Sequence, residues 1–196
     1  MSDAQKPADD DPIVALDVAG DASISDATQK YFDICQEKLG MVPNVLQAYS
    51  FDDTKLRAFT DFYNDLMLAD SGLSKLEREM IAVAVSNVNK CYYCLTAHGA
   101  AVRQYSGDPI LGEQMVMNYR VARLSDRQRA MLDYAVKLTE TPHAMEDADR
   151  QKLTDVGFSD RDIWDIASTT GFFNMTNRVA AASDMRPNTD YHSSFR

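Results

Sequence analysis

A chain of 196 residues that is 45% hydrophobic and 26% charged has the make-up of an ordinary globular protein, and its length suits one sizeable core. Its formal net charge of −10 argues against nucleic acid and anionic membrane surfaces as partners, since both call for a basic face. No apolar run approaches the length of a membrane-spanning helix, and the N-terminus lacks the basic and apolar regions of a signal peptide, so a cytoplasmic protein is expected.

Strand signals are scarce and helix-start signals recur, which makes the expected fold class all-α. Residues 1–12, rich in Asp, Ala and Pro, read as a flexible acidic tail ahead of a single domain over residues 13–186. The first helix runs from about Ser25 to Leu39 and stops at Gly40, ahead of Pro43. A short turn of helix follows at Asn44 to Tyr49, and Asp52 or Asp53 caps a longer one through Leu68, closed by Gly72. Leu73 to Val88 shows helical periodicity that buries one broad face, with Ser74 and Glu77 as a capping box, before the polar stretch Asn87 to Lys90 interrupts it. The next helix spans about Cys91 to Gln104 and ends near Gly107. Asp108 and Pro109 then open one that reaches about Tyr119. Ser125 with Gln128 starts a helix through Thr139, halted by Pro142, and Asp147 or a neighbour starts a shorter one ending at Gly157. Ser159 with Asp162 starts the last long helix, to about Ser183, and residues 187–196 finish the chain as a C-terminal arm. A weak internal similarity lays Gly72-Leu-Ser-Lys-Leu-Glu over Gly157-Phe-Ser-Asp-Arg-Asp. The second copy carries Trp164 where Glu79 would fall and has no cysteines, so it points to duplicated packing and not to a duplicated site.

Chemistry concentrates in the run Glu79, Cys91, Cys94, His98, written E-x11-C-Y-Y-C-L-T-A-H. Residues three and four apart share a helix face, so Cys91, Cys94 and His98 project together from the first turns of their helix. A thiolate is the reactive form of cysteine, and a helix N-terminus or a nearby histidine lowers its pKa. In a reducing compartment such a pair reads as catalytic or metal-binding and not as a permanent staple. A thioredoxin-type site would need a strand before the motif, and covalent haem would need histidine in place of Leu95. Structural zinc would have to recruit Cys35, His143 or His192 from far along the chain, and two merely buried thiols are the plainer alternative. Cys35 itself reads as a core residue, and His143 and His192 as surface residues.

The motif resembles the E-x11-C-x-x-C-x3-H pattern of the redox-active members of the alkylhydroperoxidase AhpD and carboxymuconolactone decarboxylase superfamily. The stretch Phe173-Asn-Met-Thr-Asn-Arg178 resembles the F-N-x-x-N-R segment of its uncharacterised peroxidase-related branch. The resemblance implies an AhpD-like multi-helix bundle, with the C-x-x-C at the N-terminus of a central helix, that forms a homo-oligomer: a trimer or hexamer, or a dimer. It implies a thiol-dependent peroxidase acting on organic hydroperoxides, in which Cys94 attacks the peroxide, Cys91 resolves the sulfenic acid as a disulfide, and His98 and Glu79 relay the proton. It implies no metal or organic cofactor, and re-reduction by a dithiol reductant protein of lipoyl or thioredoxin-like type. Two alternatives are a decarboxylase-like lyase, which works without redox cysteines, and a non-enzymatic thiol redox sensor. The pattern departs at Tyr93, where well-characterised peroxidase members carry a histidine; tyrosine does not titrate near neutral pH, so it can hydrogen-bond but not shuttle protons there. Tyr92 and Tyr93 are expected as aromatic walls or subunit contacts. Asn174, Asn177 and Arg178, at i, i+3, i+4 spacing, read either as one face beside the site or as capping and interhelical bonds, and Arg178 is expected in an ion pair with a carboxylate or, failing that, at the pocket.

Overall fold

A computed structural model describes residues 12–18 and 24–196; all of the expected acidic tail except Pro12 lies outside them. Among the described residues the regular structure is helical: α1 (Asp26–Leu39), α2 (Asn44–Tyr49), α3 (Asp53–Leu68), α4 (Lys75–Asn89), α5 (Tyr92–Ser106), α6 (Pro109–Asn118), α7 (Asp126–Glu140), α8 (Asp147–Asp155) and α9 (Asp160–Ala182), with 3-10 turns at Tyr119–Val121, Pro142–Ala144 and Thr189–His192.

Local chemistry explains most of the boundaries. Ser74, Ser125 and Ser159 each accept a hydrogen bond from the backbone N–H three residues on, and Glu77, Gln128 and Asp162 reach back to the cap, so α4, α7 and α9 all open with a capping box. Gly40 ends α1 at φ 75°, in the left-handed region that glycine enters without steric cost. Two details differ from the sequence reading. The third helix ends at Leu68 as read, but Ala69 and not Gly72 caps it. Gly72 instead lies against α9, where a Cβ would fall 1.9 Å from Asp162 Oδ1, so this glycine is required by close approach. The fourth helix runs on to Asn89 because its polar end is used in packing: Asn89 donates to Asn174 Oδ1 at 3.1 Å and Asn177 Oδ1 at 3.0 Å, and Asn87 donates to the Val116 carbonyl.

Helix α4 is the hub, packed by α3, α5, α6, α7 and α9. It buries Glu77 through Ser86 on every side, where periodicity had indicated one broad face. A helix surrounded by others has no solvent face to keep polar. The two similar segments before α4 and α9 are tied by one side chain. Arg127 bonds the Gly72 and Gly157 carbonyls, pairs with Glu77 at 3.1 Å, and lies 3.5 Å from the centre of the Phe158 ring.

The last ten residues fold back over α5. Buried Arg103 donates from Nε to the Ser194 carbonyl at 3.0 Å and from Nη2 to the Tyr191 carbonyl at 2.7 Å, and Arg196 pairs with Glu113 at 2.7 Å. Asn188 accepts from Asn44 N–H at 2.8 Å and donates to the Val42 carbonyl at 2.9 Å, anchoring the start of the segment beside α2. No helix among the described residues is long and apolar enough to cross a membrane.

Candidate active site

The α4–α5 junction positions the sulfurs. Lys90 closes α4 in the left-handed conformation (φ 55°, ψ 34°), and Cys91 follows as the N-cap of α5, its N–H bonded to the Ser86 carbonyl at 3.0 Å. Cys91 and Cys94 are both buried free thiols in a small cluster with Tyr93, Ala180 and Met185. The pair titrates as a unit. Cys91 is lowered from 9.0 to about 7, first because the Cys94 thiol hydrogen-bonds to it, with the N–H groups of Cys94 and Tyr93 and the nearby His98 adding to that, and burial opposing. Cys94 is pushed well up, first by donating that hydrogen bond and then by burial, although contacts from Asn177 and Ser86 act in the other direction. Of the two thiols, Cys91 is therefore the one that ionises first, with Cys94 as its hydrogen-bond donor.

Glu79 reaches the site from the middle of α4. His98, one turn beyond Cys94 on α5, donates from Nδ1 to Glu79 Oε2 at 2.6 Å. Both side chains are largely buried, at 13% and 8% exposure, and the Phe173 ring meets the imidazole edge-on with centroids 4.7 Å apart. That pairing fixes the tautomer: with its proton on Nδ1, a neutral His98 keeps Nε2 as an acceptor.

Cys94, His98 and Glu79 line one cavity of about 560 Å³ bordered by α1, α2, α3, α4, α5, α9 and the C-terminal segment. Aliphatic and aromatic side chains make up most of its wall, with tyrosines 63, 93, 105 and 191 as polar points. Tyr63 and Tyr93 are pushed well above the usual value, chiefly by burial; Tyr191 is pushed up to about 12, by burial and then by the nearby Glu79 carboxylate. All therefore remain hydrogen-bond donors at neutral pH.

The structure brings Glu79, Cys91, Cys94 and His98 together, as the motif suggested. Tyr93 is a wall residue whose Oη accepts from Val45 N–H at 2.9 Å, while Tyr92 is exposed and bonds His192 at 3.1 Å. Cys35 is buried but also edges the cavity. His143 and His192 lie at the surface. Asn177, whose Nδ2 donates to Ser86 Oγ at 3.0 Å, sits against Cys94, a closer role than interhelical bonding alone. Its signal was the F-N-x-x-N-R stretch; for Ser86 it was a lone hydroxyl within an apolar run. Arg178 corrects the expectation: it is exposed, makes no ion pair among the described residues and does not line the cavity. It donates instead to the Asn174 carbonyl at 2.6 Å and Asn174 Oδ1 at 2.8 Å, on the outer face of α9, where water meets its remaining donors. The contribution of residues 187–196 to the cavity wall had no sequence signal.

A model of the carboxymuconolactone decarboxylase family matches residues 55–110, which include Glu79, both motif cysteines and His98. Among solved structures, an uncharacterized peroxidase-related protein from Silicibacter sp. TM1040 is 64% identical, with 98% of this chain and 100% of that one covered and a TM-score of 0.93. A second uncharacterized peroxidase-related protein, described as an alkylhydroperoxidase AhpD core, from Ralstonia eutropha JMP134, is 42% identical over 94% of this chain and 97% of that one, with a TM-score of 0.90. The debrominase Bmp8 shares the fold, at 16% identity over 93% and 95% of the two chains and a TM-score of 0.74. No curated protein matches the chain. With its motif, fold and relatives in agreement, the chain belongs to the alkylhydroperoxidase AhpD and carboxymuconolactone decarboxylase superfamily.

Proposed function

We propose that this protein is a thiol-dependent peroxidase that reduces organic hydroperoxides by cycling Cys91 and Cys94 between dithiol and disulfide. The observation that carries this reading is the position of Cys94: its thiol borders an apolar cavity of about 560 Å³ beside the His98–Glu79 pair, with a readily ionised Cys91 hydrogen-bonded behind it. Transfer of the shared proton along the S–H···S bond moves the negative charge from Cys91 to Cys94. The Cys94 thiolate attacks the distal peroxide oxygen, the O–O bond breaks, and Cys94 becomes a sulfenic acid. The departing alkoxide takes up a proton relayed through His98, whose charged form the Glu79 carboxylate stabilises. Cys91 then attacks the Cys94 sulfur, a disulfide forms and water leaves. The sum is hydroperoxide plus dithiol giving alcohol, water and disulfide.

The apolar lining supports an organic peroxide over hydrogen peroxide, because burial of an alkyl or aryl group contributes binding. A dithiol reductant protein, cytoplasmic location and homo-oligomeric assembly complete the reading. The test is to mix reduced protein with tert-butyl hydroperoxide and titrate free thiols over time. Loss of two thiols per chain, with a sulfenic acid trapped in Cys91→Ser but not in Cys94→Ser, is the expected result. Thiols that persist under peroxide excess would sink the proposal and move the lyase reading forward, and a lyase would keep its activity in the double serine variant.

A further inference from the structure

The two thiols open on different cavities. Cys94 lines the larger one; Cys91 does not, and lines instead a separate cavity of about 340 Å³. Tyr93, Ala180 and Met185 border both and form the wall between them. The rim of the second cavity, Lys90, Tyr92, Ala181, Asp184 and Arg186, is exposed, so its mouth faces solvent.

The electrostatics of the two also differ. At the second mouth Lys90 and Arg186 stand against a single carboxylate, Asp184, which Arg186 pairs at 3.2 Å, leaving one positive charge in excess. The first cavity sets the Glu79 carboxylate against a single lysine, Lys38, so its lining carries no excess of lysine and arginine over carboxylate. Reduction of a disulfide begins with a thiolate, so an incoming thiolate is favoured at the second mouth over the first. An uncharged hydroperoxide with an apolar body has the opposite preference.

We propose that the cavity beside Cys91 is the docking site of the dithiol reductant, which attacks Cys91 Sγ from there while peroxide and alcohol use the cavity beside Cys94. The proposal rests on the peroxidase reading for its place in a cycle. One thiolate of the reductant bonds to Cys91 Sγ, the Cys91–Cys94 bond breaks, and the electron pair leaves on Cys94, which is protonated through His98. The reductant's second thiol loses its proton and attacks the reductant's own bridging sulfur, and Cys91 leaves as a thiolate. The reductant ends as a cyclic disulfide and the protein as a dithiol, with two electrons transferred. The last step uses Cys91 well, because the Cys94 thiol and the N–H groups opening α5 hold the charge it leaves with.

The test separates the half-reactions. Ala181→Trp fills the second cavity from an exposed site on α9, and Ala101→Phe fills only the first. Each protein is oxidised with diamide, which forms the disulfide without peroxide, and its reduction by dithiothreitol is followed. Separately, reduced protein is oxidised with tert-butyl hydroperoxide. Ala181→Trp should slow reduction by about tenfold or more and Ala101→Phe should not, whereas Ala101→Phe should slow peroxide oxidation. Reduction of Ala181→Trp within about twofold of wild type, or slowed reduction in Ala101→Phe, overturns the proposal. A wild-type protein that peroxide leaves reduced overturns the peroxidase reading alone, since the diamide arm still reports on docking. If Ala181→Trp does not fold, wild-type protein decides: acid-quenched reaction of its disulfide with 2-mercaptoethanol should place the adduct on Cys91, and an adduct on Cys94 overturns the proposal.

Discussion

Replacing Cys94 by alanine removes the hydrogen bond that contributes most to lowering Cys91 from 9.0 to about 7. The sign follows directly: the wild-type Cys91 thiolate is present above about pH 7 and lost below it, and without its donor the midpoint climbs toward 9. At pH 7 the thiolate fraction then falls from about one half to about one in a hundred, a factor of about 50. A more basic thiolate is intrinsically more nucleophilic, and a Brønsted slope of about 0.5 over two units returns about tenfold. The net expectation is alkylation of Cys91 by iodoacetamide slowed about fivefold at pH 7 and accelerated above pH 9, so the two rate profiles cross. Burial, which raises Cys91, and the backbone N–H groups and His98, which lower it, all persist in the variant and oppose one another, and Cys94→Ser, which keeps an O–H donor, should fall between. Rates mapped to individual cysteines by peptide mass from about pH 5 to about pH 10 are the assay, with Cys35, whose thiol burial pushes up, as an internal reference. A wild-type Cys91 midpoint near 9, or one unmoved by Cys94→Ala, refutes the shared-proton account.

Glu79→Gln keeps an acceptor for His98 Nδ1–H but removes the charge, so peroxide-dependent thiol loss should fall by about a hundredfold while the Cys91 alkylation midpoint, to which His98 is a lesser contributor, rises only slightly; unchanged peroxide kinetics would make Glu79 a packing residue. Arg103→Ala deletes two hydrogen bonds from a buried cation to the Tyr191 and Ser194 carbonyls, with a loss on the order of 3 kcal/mol confined largely to the C-terminal segment. Hydrogen exchange should rise over residues 187–196, and unchanged protection there would show that Arg196 and Asn188 suffice. Gly72→Ala forces Asp162 away and breaks the α9 capping box, which should cost about 1–3 kcal/mol in urea unfolding. Adding Asp162→Ala should then cost little more, and full additivity would contradict the clash.

The helices are legible along the chain because their signals are local. A serine with an acidic or amide side chain three residues on satisfies orphaned N–H groups within a single turn, whatever packs outside it. The same holds for the motif: Cys91, Cys94 and His98 share a helix face through spacing alone, and Glu79 entered by resemblance to known relatives. The environment of each group, by contrast, comes from packing between distant segments. Arg178 was expected in an ion pair because its exposure depends on which face of α9 meets α4. Cys35 belongs to the core, as its helical context indicates, but its place at the cavity edge depends on helices far along the chain. Residues 187–196 carry no periodic pattern, and their place over α5 depends on Arg103, whose partners are backbone carbonyls that any sequence could present. Most consequential is the division between the two sulfurs. Two residues separate Cys91 from Cys94 in sequence, but Tyr93, Ala180 and Met185 stand as a wall between their cavities, and α9 and the segment after it supply two of those three side chains. Capping and spacing act within one turn and can be read from it; which cavity a sulfur faces is set by long-range packing, whose partners lie roughly ninety residues away.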